Sequence, residues 1–223
     1  MNKGLFVQAI SKFTLGVVLV GGLLFWPAGT LRWWNGWLFM GILFVPMFCA
    51  GLVMMAKSPN LLRSRLKAKE EQKEQDKVVK LSGLMFLVGF ILAGLNFRLG
   101  WLTLPDWAVW TAAGLFLLAY LLYAEVLREN AYLSRTIEVQ EGQTVVDTGL
   151  YGIVRHPMYA ATLLLFLSMP LVLGSPISFV IFLVYPFLIA KRIRNEEQVL
   201  TEELEGYADY LNKVKYRLVP FVW

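Results

Sequence analysis

The chain of 223 residues carries a single histidine, His156, in the stretch "GLYGIVRHPMYAATLLLFL". Arg155 and Pro157 flank it, Tyr151 and Tyr159 stand on either side, and a long apolar run begins at Met158. A second polar cluster, "KRIRNEEQVL", follows that run and contains Arg192, Glu196 and Glu197. An arginine offers a planar fork for a carboxylate or phosphate. Aromatic faces suit a nucleobase or a sulfonium cation. Pro157 suits the first turn of a helix, and the residue before it is pushed out of helical geometry. His156 is therefore expected in a cap region. The helix that starts there presents unpaired N–H groups and a partial positive charge, which favour an anionic group. Plainer readings compete residue by residue. Tyr151 and Tyr159 could be interface anchors, Arg155 could meet lipid phosphate, and Lys191 to Arg194 could be a basic flank. Glu196 and Arg192 could form an ordinary i,i+4 pair.

The elements that must position these groups are apolar. Hydrophobic residues make up 57% of the chain and charged residues 17%, with a mean hydropathy of +0.57. A soluble domain would carry about 25% charge. Uncharged blocks run over Phe13–Leu31, Trp33–Ala56, Leu81–Phe97, Trp107–Ala124 and Met158–Ala190. A span needs about 20 apolar residues. The first four blocks predict one helix each. The last would be roughly 50 Å long as one helix. Leu173-Gly174-Ser175-Pro176 interrupts it with a turn signal. It is expected to form a helical hairpin, about 157–173 and 176–190. The fold class is all-α, a polytopic membrane protein with five to six transmembrane helices, in one domain over 1–223. The first block reads as a retained helix rather than a cleaved signal.

Nineteen of the 21 Lys and Arg residues fall at the N-terminus, in 57–80, in 128–157 and after 190; only Arg32 and Arg98 fall elsewhere. This asymmetry predicts both termini and the two polar clusters on the cytoplasmic side, most simply of a cell (inner) membrane. The net charge of +5 then reflects topology and contact with membrane lipids, not nucleic-acid binding. The tract 57–80 reads as a solvated, partly helical connector. Cys49, the lone cysteine, reads as a small buried packing residue, and one cysteine allows no disulfide or multi-cysteine metal site within one chain. Ile193, Leu200, Leu204, Tyr207, Leu211 and Val214 recur at helical steps. They predict an amphipathic helix continuing from the last span and ended by the segment around Pro220.

"TGLYGIVRHPMYAA", an apolar hairpin, and "RIRNEEQVL" followed by a Y..Y pair and a proline resemble the isoprenylcysteine carboxyl methyltransferase and phospholipid methyltransferase superfamily, over about residues 134–220. The resemblance implies methyl transfer from S-adenosyl-L-methionine to a lipophilic acceptor drawn from the bilayer. It implies a helical region 1–127 ahead of a cofactor-binding and catalytic region 128–223. Gln143, Thr144, Val145, Val146, Tyr151, His156, Pro157, Met158, Tyr159 and Glu196 would hold the cofactor. Arg192 would be the acceptor-side residue, supported by Arg155 and Glu197. A prenylcysteine carboxylate, a phospholipid amine, a small thiol and another hydrophobic acid all stand as acceptors. Two other readings compete: an NADPH-dependent membrane reductase, whose sterol-type members share a related C-terminal region, and a small transporter or adaptor.

Overall fold

The structure, a computed structural model, describes residues 3–66, 73–133 and 139–223. The described residues form helices α1 (Lys3–Ala28), α2 (Trp34–Lys57), α3 (Pro59–Leu66), α4 (Lys73–Leu99), α5 (Asp106–Glu129), α6 (Pro157–Val172), α7 (Pro176–Phe182), α8 (Tyr185–Glu203) and α9 (Tyr207–Lys213), with a 3₁₀ turn at Gly149–Gly152. They contain no strand. Five stretches are long and apolar enough to cross a bilayer: Gly4–Ala28, Trp34–Lys57, Gln75–Leu99, Asp106–Glu129 and Pro176–Glu203. The hairpin is present. Its first arm, α6, has 16 residues, about 24 Å at the helical rise and short of a full hydrocarbon core.

Local chemistry sets the hairpin. Pro157 opens α6 and Pro176 opens α7, each at a position where a missing N–H costs nothing. Ser175 caps α7 by accepting from the Ser178 N–H at 3.2 Å. The second arm bends at Leu183 and Val184. Pro186, in the first turn of α8, has no N–H to give to the carbonyl four residues back, so the helix ladder is interrupted there.

Between apolar helices in a bilayer, close approach and interlocking shape replace the hydrophobic drive that water supplies. α1 packs on α4, α5 on α6, and α4 on α7. A Cβ at Gly94 of α4 would lie 2.5 Å from the Leu24 carbonyl oxygen of α1, so only glycine permits that crossing. Phe86 joins the bundle to the hairpin, with ring centroids 4.8 Å from Phe166 and 5.5 Å from Phe182.

Three sequence expectations are corrected. Cys49 is exposed on α2, because it lies on the outward face of a helix whose buried positions are Gly36, Phe39, Met40 and Phe44. The tract 57–80 is not wholly a solvated connector. In α3, Leu62 is buried, and Arg65 lies 5.4 Å over the Tyr123 ring and reaches the Met158 sulfur at 3.9 Å; residues 67–72 of the tract lie outside the described residues. The C-terminal amphipathic pattern is not one helix. α8 stops at Leu204, Gly206 takes a left-handed φ of 82°, and α9 folds back. Ile193 therefore joins the main core, whereas Leu204, Tyr207, Tyr210 and Val214 build a small second core with Val139, Val145, Leu200 and Leu211. The periodicity was real, but glycine divides it between two cores. α9 ends at Lys213, well before Pro220.

Candidate functional site

The hairpin returns α8 to the start of α6, and the two polar clusters meet there. Glu197 is the centre of the contact. Its Oε1 accepts from Arg155 Nε at 2.7 Å and from His156 Nε2 at 3.2 Å, and its Oε2 accepts from Arg217 Nε at 2.8 Å. The side chains of Arg155, His156 and Glu197 are 8%, 4% and 9% exposed. Burial by itself would raise the Glu197 pKa. The hydrogen bonds from His156 and Arg217 and the charges of His156 and Arg155 outweigh it and hold the carboxyl at about 2. Glu197 stands seven residues past the end of the apolar run at Ala190. Against a carboxylate, which only accepts, His156 Nε2 is the donor of its pair.

The segment 214–217 is the third party to this junction. The Arg155 N–H donates to the Tyr216 carbonyl and the His156 N–H to the Arg217 carbonyl, both at 2.9 Å. Arg155 Nη1 donates to the carbonyls of Val214 and Lys215 at 3.0 and 3.2 Å. His156 is outside helical geometry, at φ −126° and ψ 61°, as the residue before a proline is steered.

One turn further along, Tyr159 links the two arms of the hairpin. Its hydroxyl donates to Glu196 Oε2 and accepts from Arg192 Nε at 2.9 Å. The 3₁₀ turn supports Tyr151. Glu129, at the end of α5, accepts from the Leu150 N–H at 3.0 Å. Gly149 has a left-handed φ of 51°, and a Cβ there would collide with the Glu129 carboxylate. The Tyr151 hydroxyl accepts from Asn130 Nδ2 at 3.0 Å, and the Tyr210 hydroxyl donates to the Tyr151 carbonyl at 2.7 Å.

These contacts surround one cleft of about 820 Å³, counting space open to solvent. Gln143, Thr144, Val145, Val146, Tyr151, Arg155, His156, Met158, Tyr159, Arg192 and Glu196 line it. Of the residues singled out in the sequence, Pro157 and Glu197 do not. Pro157 starts the helix behind the wall, and Glu197 faces Arg155, His156 and Arg217. Gln143 lines the cleft with its carbonyl oxygen already accepting from the Gln140 N–H at 2.9 Å.

Sequence reasoning missed five contributors. Glu129 and Asn130, just past an apolar span, gave no signal of their own. Arg217 counted only as one basic residue among several. Tyr207 and Tyr210 stood in the Y..Y spacing, but Tyr207 read as a core position. Both line the cleft with Leu200 and Leu204.

The comparisons bear on this same region. Residues 110–202 match the isoprenylcysteine carboxyl methyltransferase family.

Over these residues the chain is similar to that family, and its described residues include five helices long and apolar enough to make it an integral, multi-pass membrane protein. The matched segment runs from α5 through α8 and contains the hairpin and both polar clusters. Two curated relatives are similar over part of the chain. One is a Delta(14)-sterol reductase of Mus musculus, 31% identical over 91 residues, which are 40% of this chain and 22% of that protein. The other is a Delta(14)-sterol reductase of Methylotuvimicrobium alcaliphilum, 24% identical over 135 residues, 54% of this chain and 32% of that protein. The chain thus spans less than a third of the length of either reductase.

Proposed function

We propose that this membrane protein transfers the methyl group of S-adenosyl-L-methionine to a lipophilic acceptor, first among them a prenylcysteine-type carboxylate or a related hydrophobic acid. The observation that carries the reading is the Arg192–Tyr159–Glu196 link at the membrane end of the cleft. A cation, an anion and an aromatic hydroxyl stand together where a polar chamber meets an apolar hairpin. The basic end of the bundle faces the cytoplasm of a cell membrane, supported by the 19-to-2 division of Lys and Arg.

The cleft's chemistry fits the cofactor. Glu196 supplies a carboxylate for cationic groups, and Tyr151 and Tyr159 supply aromatic faces. Bound S-adenosyl-L-methionine supplies an electrophilic methyl on a sulfonium. The protein's part is then positioning, which can provide much of the acceleration. Arg192 holds the acceptor's anionic group through its planar fork. A carboxylate is already ionised at neutral pH and needs no base. An amine or thiol acceptor would have to lose a proton, and His156 is the one histidine in the chain to take it. Glu197, outside the cleft lining, fixes His156 and Arg155 within it.

The relatives named as sterol reductases favour a second reading, an NADPH-dependent reductase. Against it, Arg155 already spends donors on Glu197 and on two backbone carbonyls, which leaves little for a 2′-phosphate. Direct titration separates the readings: we expect S-adenosyl-L-methionine to bind and NADPH not to. With a verified acceptor from a lipid panel, Arg192→Lys should keep cofactor affinity within about twofold. It should lower kcat/KM at least tenfold, about 1.4 kcal/mol of transition-state stabilisation. NADPH binding without S-adenosyl-L-methionine binding would transfer the protein to the reductase reading. Unchanged methyl transfer in Arg192→Lys would remove Arg192 from the acceptor site.

A further inference from the structure

Five tyrosines line the cleft: Tyr132, Tyr151, Tyr159, Tyr207 and Tyr210. Four have hydroxyls engaged within the protein. Tyr132 donates to the Gly142 carbonyl, Tyr151 accepts from Asn130, Tyr159 bridges Arg192 and Glu196, and Tyr210 donates to the Tyr151 carbonyl. The Tyr207 hydroxyl is buried and has no hydrogen-bond partner among the described residues. The residue as a whole is 4% exposed. A buried hydroxyl without a partner costs stability that a phenylalanine of the same shape would not.

Packing does not explain the oxygen. The ring's place in the second core, beside Leu204, Tyr210 and Val214, would be filled as well by phenylalanine. Geometry holds the residue where it is. Tyr207 is the first residue of α9, directly after the left-handed Gly206, and its N–H donates to the Leu204 carbonyl at 3.2 Å. The hydroxyl also stays protonated. Burial raises its pKa far above the usual tyrosine value, and the charges of Glu196 and Glu197 add to this. It is an O–H group able to donate and accept, at the Glu196 end of the cleft.

We propose that the Tyr207 hydroxyl is a ligand contact, hydrogen-bonding a polar atom of the nucleoside cofactor in the filled cleft, so that α9 is a cover fastened through the ligand. This rests on the cofactor reading above. It predicts a signature that a structural hydroxyl cannot give: removal leaves the ligand-free protein no less stable while weakening the ligand.

The test compares Tyr207→Phe with Tyr210→Phe, whose hydroxyl is engaged within the protein. Thermal unfolding of the ligand-free, detergent-solubilised chains is one readout. Calorimetric affinity for S-adenosyl-L-methionine is the other. Tyr207→Phe should unfold at or above the wild-type midpoint and bind the cofactor about five- to tenfold more weakly, with a smaller ligand-induced shift in Tm. Tyr210→Phe should unfold below wild type. The proposal is overturned if Tyr207→Phe binds within twofold of wild type, or if its ligand-free midpoint falls as far as that of Tyr210→Phe. The same titrations with NADPH separate this from the cofactor reading. Wild type binding NADPH alone, with a five- to tenfold penalty in Tyr207→Phe, would keep the contact and overturn the methyl-transfer reading. Wild type binding neither nucleotide would overturn both.

Discussion

The two ends of the helical bundle each hold a cleft, and they settle their polar groups differently. At one end, Trp33, Trp34, Asn35, Asn96, Phe97 and Asp106 border a space of about 600 Å³. Asn96 is buried and completes its hydrogen bonds with a single loop residue. Its Nδ2 donates to the Leu102 carbonyl at 2.6 Å, and its Oδ1 accepts from the Leu102 N–H at 3.2 Å. Asn35 Nδ2 donates to the Val172 carbonyl at 3.4 Å. Neutral amides there fasten loops to helix ends. At the other end, one carboxylate meets two arginines and a histidine from two distant segments, and a tyrosine hydroxyl joins a further arginine to a further glutamate. A buried charge is tolerated only with close partners and filled hydrogen-bonding capacity. Such a cluster therefore fixes 155–156, 197 and 217 against each other, as a neutral amide could not. The first end closes its asparagine amides within the protein. The second leaves one hydroxyl, that of Tyr207, open.

The comparison breaks most sharply at Glu197. Glu197→Gln removes the anion shared by Arg155, His156 and Arg217 and leaves the Arg155 charge buried. We expect a loss of about 3 kcal/mol or more, seen as a large fall in the unfolding midpoint, together with weakened cofactor binding as His156 loses its orientation. A midpoint within 1 °C of wild type would mean that the ionic junction does not hold this end together.

A smaller effect is expected at Gly149. Gly149→Ala forces a side chain into a left-handed backbone position and against the Glu129 carboxylate. It should cost about 1–3 kcal/mol, and cofactor affinity should fall as the support under Tyr151 shifts. Stability loss with unchanged affinity would show that the turn serves the fold alone.

The smallest effect belongs to the opposite end. Asn96→Leu loses two hydrogen bonds to a loop residue that is itself 57% exposed, so water can replace the protein partner. A cost of about 1 kcal/mol is expected, with cofactor affinity unchanged. Weakened cofactor binding in this variant would show that the two ends are coupled through the bundle.

Much of this was legible in order along the chain. The apolar blocks specified the long helices because a bilayer-spanning helix must satisfy its backbone internally over a fixed length. Leu173-Gly174-Ser175-Pro176 specified the hairpin because glycine and proline act on their own backbone. The Arg155-His156-Pro157 and Glu196-Glu197 clusters were legible as neighbours because a hairpin returns its second arm to the start of its first. Cys49 shows the limit of that reading: in an apolar helix every position looks buried, and only packing separates a face against protein from a face outward.

What the sequence by itself determined was therefore local and periodic: helix lengths, the turn at 173–176, the cap before Pro157, the basic bias of one end, and the resemblance carried by residues near the hairpin. Tertiary structure decided what depends on segments far apart in the chain. Arg217 meets Glu197 only because α8 breaks at Gly206 and α9 folds back, which divides one apolar period between two cores. Arg65 reaches Met158 across 93 positions of chain. Which of five tyrosine hydroxyls is left without a partner depends on every other contact in the cleft. A residue's type and its immediate neighbours fix its backbone preferences, but hydrogen-bond partners and burial are properties of the assembled site.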